Sequence, residues 1–340
     1  MKRHLQVYKI LSIVLFFFPV HLLFIKIKNF FYDNKLLEPT VVNGKVISVG
    51  NISLGGSGKT PFTIALSNFL CENGFSVGVA TRGYGRKNNH DSFLLDKQSW
   101  EDCGDETLVL KNNLASSVPI YVSKNKIFAA QTLAKMGCDI IVLDDAFQHR
   151  KISRDIDIVL LAPDELLKKN QKTFPWGLLR EPFYNIKRAS MVVTTKANLY
   201  NEKKSTKYVH ALNTKFQDEL LCSIKNTNMN VENLSKINNL LSICAIGKPE
   251  SFHNSLKSLN INPLKDLIYS DHYNFTKKDV NTIIDNIKKY NIKGIVCTEK
   301  DWVKLISFQG EIVIPIYAIR LNYSLNKDIE ETVLPVSYTH

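Results

Sequence analysis

Between Val49 and Phe62 the chain reads VGNISLGGSGKTPF, with the apolar KVIS before it and the helix-like TIALSNFL after it. In a glycine-rich turn between a strand and a helix, backbone N–H groups and the helix N-terminus together cradle phosphate oxygens. The lysine of such a loop neutralises those oxygens and the following hydroxyl ligates Mg2+. The spacing G-x-x-x-x-G-K-[ST] asks for glycine where this chain has Ser53, so the motif is imperfect at its first position. The loop expected to hold phosphates is Ser53, Leu54, Gly55, Gly56, Ser57, Gly58, Lys59 and Thr60. An ordinary glycine-rich turn is the alternative.

Acidic groups follow at the right kind of place. The run DIIVLDD delivers Asp144 and Asp145 to the C-terminal end of an apolar strand, where a parallel sheet binds its ligand. In this Walker B position one carboxylate holds Mg2+, with Thr60, and its neighbour orients water or accepts a proton. A solvated pair of turn aspartates is the alternative. AFQHR continues the same loop, where Gln148 or His149 is expected to face substrate or phosphate; a structural role, the commoner one for a lone histidine, is the alternative. Two more loops have mixed signatures: TRGYGR brings Arg82 and Arg86, suited to an anionic substrate, and GDET brings Asp105 and Glu106. Both are equally consistent with plain turn chemistry.

Positioning these groups takes a layered frame. KVISVG, SVGVAT, VPIYVS, DIIVLD, DIVLLA and MVVTT alternate with amphipathic stretches such as PFTIALSNFLCENG and KNKIFAAQTLAKMG. That is the pattern of a doubly wound, mainly parallel α/β sheet. Around residues 201–238 the sequence turns polar, as a connection between domains does, and a second α/β set follows from LLSICAIG to IVIPIYAI. At 340 residues the chain is long enough for about two domains. The expected division is an N-terminal segment, 1–35, a P-loop domain, 36–215, and a smaller α/β domain, 216–340.

The N-terminal segment is apolar from Ile10 to Ile25, interrupted by Pro19 and His21, and flanked by Lys9, Lys26 and Lys28. It is short for a membrane span and has no small-residue cleavage site. Its basic ends and Phe/Leu content suit an amphipathic helix lying in an anionic leaflet. The net charge of +12 favours an anionic partner. Six cysteines without CxxC pairing read as small core residues of a reducing compartment, with neither disulfide nor zinc expected.

Taken in order, GNISLGGSGKTP, TRGYGR, GDET, LDDAFQHR, PWGLLREP and TEKDWVKL resemble the tetraacyldisaccharide 4′-kinase family, and the resemblance runs over essentially the whole chain. It implies transfer of the ATP γ-phosphate to the 4′-hydroxyl of a tetraacylated glucosamine disaccharide 1-phosphate, forming lipid IVA. That is a step of lipid A synthesis at the cytoplasmic face of the Gram-negative inner membrane. ATP and Mg2+ are the implied cofactors, an anionic acylated disaccharide and the membrane surface the implied partners, with no nucleic acid and no obligatory protein partner. Matched to the family, Lys59 and Thr60 belong to the phosphate loop and Asp144 and Asp145 are the metal-binding acids. Asp105 is the acid paired with a histidine of the second domain, which looks like His272 in SDHYNF. Arg180 and Glu181 of LLREP are expected to shape the pocket. Thr107, Tyr273 and Trp302 depart from the family pattern. The equivalent of a basic residue often found before the third helix is Lys124 or Lys126.

The rival enzyme class, a regulatory or metal-delivering P-loop GTPase or ATPase, begins its loop with lysine, where this chain has Leu54. Its guanine-reading carboxylate is also missing, since TTKAN places Asn198 there. A non-enzymatic binder of membrane or nucleic acid accounts for the charge but not for the Walker pair.

Overall fold

The computed structural model describes residues 22–87, 92–167, 171–174, 176–196, 209–211, 214–216, 221–222 and 230–338. Residues 22–33 form a helix, α1. The first sheet is then assembled from β1 (Lys45–Asn51), β2 (Val77–Thr81), β3 (Phe93–Leu94), β4 (Ile120–Val122), β5 (Ile140–Asp144), β6 (Ile156–Leu161), β7 (Met191–Thr194) and β8 (Val209–Ala211). Its order is β3-β4-β2-β5-β1-β6-β7-β8, and every pairing is parallel except that of β3 with β4. The helices around it are α2 (Lys59–Glu72), α3 (Trp100–Cys103), α4 (Asp105–Asn113) and α5 (Lys126–Lys135).

The central strands are apolar throughout because both faces are covered. Along β5, Ile140 and Val142 join a core with Phe62, Leu66 and Leu70 of α2 and Leu110 of α4. Ile141 and Leu143 point the other way, onto Ala129, Ala130 and Leu133 of α5. Since β1 lies between β5 and β6 while the chain leaves it for β2, the sheet changes direction there and opens a crevice at the strand ends. The loops after β1 and β5 are the two carrying the glycine motif and the paired aspartates.

The second unit contains β9 (Thr214–Phe216), β10 (Leu221–Cys222), α6 (Val231–Ser235), β11 (Leu240–Cys244), α7 (Pro249–Ser258), β12 (Lys265–Ile268), α8 (Lys277–Tyr290), β13 (Gly294–Thr298), α9 (Glu299–Leu305), β14 (Ile316–Ile319), β15 (Leu321–Tyr323) and α10 (Lys327–Tyr338). A five-stranded sheet of order β10-β14-β13-β11-β12, parallel but for β10, is packed by α8 on one face and α7 on the other. The C-terminus crosses the division expected at residue 215. β15 pairs antiparallel with β9, and Ile329 and Val333 of α10 are buried in the core of the first sheet beside Phe62 and Leu66. Burying those apolar groups ties the two units together at a second place. Cys103, Cys138, Cys244 and Cys297 are buried core residues and Cys71 and Cys222 half-buried.

Candidate active site

Gly55, Gly56 and Gly58 all adopt positive φ, at 87°, 47° and 78°, which a side chain would disfavour. The loop curls back before α2, whose first turn has no capping side chain and no acidic residue. Its first N–H groups are thus open to an anion. The loop is braced from behind: Asn51 Nδ2 donates to Ser57 Oγ at 2.9 Å, Thr195 Oγ1 to Ser57 O at 2.9 Å, and Leu54 N to Leu178 O at 2.7 Å. Residues 54–60 line a cleft of about 660 Å3 between the two units. Ser53 does not line it. It is buried, accepts from Asn51 Nδ2 at 3.3 Å and bridges to Leu179, so at the position where the motif lacks glycine the residue is structural.

The aspartates at the end of β5 diverge in environment. Burial, with Glu106 and Asp145 nearby, pushes the Asp144 carboxyl up to about 6, although Lys126 works against it. Thr81 Oγ1 donates to its Oδ2 at 3.1 Å, while Oδ1 is buried with no hydrogen-bond partner. Asp145 is half-buried, and Lys59 at 3.6 Å and Arg180 at 3.0 Å outweigh its desolvation and hold it near 2. Its backbone sits at φ 49°, a strained setting for a non-glycine residue. Gly50 makes room for the turn, since a Cβ there would stand 2.6 Å from Phe147 N. The buried Lys126 ammonium donates to the Asp144 carbonyl, which makes Lys126 the basic residue that touches the Walker strand. An uncompensated carboxylate oxygen beside a phosphate loop fits Mg2+, a cation that takes one or two carboxylates and completes its shell with water and phosphate. Asp144 and Thr60 are the fitting donors; Asp145 is already engaged by two cations.

His272 lines the cleft and meets Asp105, buried just behind the lining, although 167 positions separate them. Asp105 opens α4 and is buried. Its Oδ1 lies 3.2 Å from His272 Nδ1 and accepts from Glu106 N at 2.8 Å. Burial alone would raise its pKa, but His272, Lys300 and Lys304 bring it to about 2. His272 sits at φ 56° on the loop after β12, with its ring 4.5 Å from that of Tyr84. Tyr273 turns away, donating to Asp279 Oδ2 at 3.2 Å within its own unit, so His272 is the histidine at this pair.

The remaining expected residues divide. Arg82, Glu106 and Arg180 line the cleft. Gln148, His149 and Glu181 do not. Gln148 Nε2 donates to Asn51 O at 2.7 Å and to Glu181 Oε1 at 2.9 Å, and Glu181 also receives Asn185 and Arg188, so these two brace the strand ends from within. His149 stands on the α1 side of the loop, lowered to about 4 by burial and by Lys126, Lys28 and Arg154. Arg150 beside it clamps α1, reaching Asp33 at 2.8 Å and Asn29 O at 3.2 Å. Missed by the sequence reading were Lys300 and Lys304 of α9, and the latches Lys248 to Asp164 at 2.9 Å and Lys196 to Ser251 Oγ at 3.0 Å. The four-residue spacing within TEKDWVK was the available signal for the α9 pair.

A P-loop, a Walker strand and an acid–histidine pair facing one cleft define a P-loop phosphotransferase with a hydroxyl acceptor. The family model for tetraacyldisaccharide-1-P 4′-kinase matches residues 11–337. The chain belongs to that family and is a kinase. It is 34% identical to the tetraacyldisaccharide 4′-kinase of Koribacter versatilis over 307 residues, covering 88% of this chain and 90% of the relative. It is 31% identical to that of Desulfotalea psychrophila over 85% of this chain and 86% of the relative. Among solved structures it superposes on the "apo" form of LpxK from Aquifex aeolicus in complex with ATP, with TM-score 0.74 and 27% identity, over 96% of this chain and 99% of that one. The regulatory GTPase alternative is not favoured.

Proposed function

We propose that this cleft transfers the γ-phosphoryl group of ATP to the 4′-hydroxyl of a tetraacylated glucosamine disaccharide 1-phosphate in lipid A assembly. The observation that carries the assignment of roles is the contact of Asp105 with His272, whose ring lines the same cleft as the phosphate loop. Residues 54–60 hold the ATP phosphates, and Lys59, released from Asp145, follows the charge onto the transferred group. Mg2+, held by Thr60 and Asp144, would neutralise charge on the phosphates. A sugar hydroxyl is a weak nucleophile until its proton is removed, and the Asp105–His272 pair receives that proton as the oxygen attacks phosphorus and ADP departs. Arg82 and Arg180 add positive charge to the acceptor side of the cleft.

The lipid is met at a membrane surface, at the cytoplasmic face of the inner membrane. Leu23, Phe24, Ile27, Phe30 and Phe31 recur at helical spacing on α1 and are exposed, as an interfacial helix requires. Residues 10–21 of the expected anchor lie outside the described residues. Among the described residues no helix is long and apolar enough to cross a membrane.

The test is a mutant cycle on the detergent-dispersed acyl disaccharide. Asp105→Ala and His272→Ala should each lower kcat by roughly two to four orders of magnitude, and the double variant should be little worse than the poorer single one. The KM for ATP should barely move. Log-additive losses would show independent roles, and a large rise in KM for ATP on Asp105→Ala would move that carboxylate to the nucleotide.

A further inference from the structure

Two ammonium groups enclose the Asp105–His272 pair, and both come from α9. Lys300 and Lys304 stand four residues apart, so they leave the helix on one face. Lys304 is buried, with Nζ 3.2 Å from Asp105 Oδ2, 3.0 Å from Tyr273 O and 3.5 Å from Asp301 Oδ1. Lys300 Nζ lies 2.9 Å from His272 Nε2, 3.2 Å from Asp271 Oδ1 and 3.3 Å from Glu106 Oε1. An ammonium donates and never accepts. The nitrogen facing Lys300 therefore presents its lone pair, and the single proton of the neutral ring sits on Nδ1, where Asp105 accepts it.

We propose that Lys300 is a positioning residue that fixes His272 as the Nδ1–H tautomer and reserves its Nε2 lone pair for the acceptor hydroxyl, while Lys304 holds Asp105 as the carboxylate that orients the ring. The inference rests on the assignment of Asp105 and His272 as the base. When the sugar hydroxyl arrives, its O–H donates into the lone pair that Lys300 had occupied, and the ammonium keeps Glu106 and Asp271. The hydroxyl proton then passes to Nε2, the oxygen bonds to the γ-phosphorus, and the bond from that phosphorus to the β,γ-bridging oxygen breaks with its electron pair leaving on ADP. The imidazolium so formed is stabilised through Nδ1–H by Asp105. Without Lys300 the charged groups left beside Nε2 among the described residues are carboxylates, Glu106 at 3.9 Å and Asp271 at 4.0 Å, and these favour a proton there.

The experiment uses the full chain in detergent, nucleotide-free, with 15N-labelled histidine and two-bond 1H–15N correlation. His272 is assigned by the resonance lost in His272→Gln. The wild type should show the Nδ1–H pattern with an unprotonated Nε2, Lys300→Met should let Nε2 take up a proton as well and lower kcat about tenfold or more, and Lys300→Arg, which restores a donor, should recover both. A wild-type Nε2–H pattern, or an Nε2 that stays unprotonated in a folded Lys300→Met protein, overturns the proposal. So does a loss that falls on the KM for ATP, which would make Lys300 a phosphate ligand. The tautomer is read without substrate, so failure of the base assignment shows separately, as His272→Ala retaining kcat.

Discussion

Asp144→Asn should make the metal-free protein more stable at neutral pH while removing its kinase activity. Burial lifts this carboxyl from the ordinary 3.8 to about 6. At about 1.4 kcal/mol per pKa unit, ionising it in the folded protein costs about 3 kcal/mol relative to the unfolded chain. The sign follows from proton binding. Between 3.8 and 6 the folded state holds the proton and the unfolded state has released it, so stability falls as pH rises through that window and stays lower above it. Asparagine has no such loss. Its carbonyl can keep the Thr81 hydroxyl that Oδ2 accepts at 3.1 Å, and the Lys126 bond goes to main chain. Its amide replaces Oδ1, which has no partner, and burying an unpaired N–H there returns about 1 kcal/mol of the gain. The expected net change is a gain of about 2 kcal/mol at pH 8, turning into a loss of up to about 1 kcal/mol at pH 4, where the wild-type carboxyl is protonated and the unpaired amide is what remains. Urea denaturation of both proteins in chelator, at several pH values, measures it. A variant less stable than the wild type at pH 8, or a difference constant from pH 5 to 8, would refute the argument that burial controls this group.

Three further outcomes are expected. Lys59→Ala should lower phosphoryl transfer at least about a hundredfold in a folded protein, since the transferred group loses its nearest cation, and near-normal activity would remove Lys59 from the phosphate loop. Deleting residues 1–35 should move the protein from the membrane to the soluble fraction and abolish co-sedimentation with anionic vesicles; unchanged fractionation would count against the interfacial helix. Gly50→Ala should destabilise by about 1–3 kcal/mol in a thermal melt, because the new methyl meets Phe147 N at 2.6 Å, and an unchanged melt would mean the 145–147 turn moves freely.

Gly58, Lys59, Thr60, Asp144 and Asp145 were legible in the chain because their signals are local. A glycine turn between a strand and a helix, and a carboxylate closing an apolar run, are written in consecutive residues, and the alternating strands carry the doubly wound sheet the same way. Asp105 and His272 were each ambiguous by themselves and became a pair only through resemblance to a family. What the chain could not show is which groups a charged side chain meets once distant elements pack. Gln148 closely follows the paired aspartates in sequence yet bonds to Glu181 at 2.9 Å, outside the cleft lining. Lys300 and Lys304 were not singled out in the sequence, yet they enclose the Asp105–His272 pair. Burial lifts Asp144 to about 6, while Lys59 and Arg180 hold its neighbour Asp145 near 2. Periodicity and turn chemistry depend on neighbours along the chain, whereas desolvation and Coulomb energy depend on neighbours in space, and only the tertiary structure supplies those.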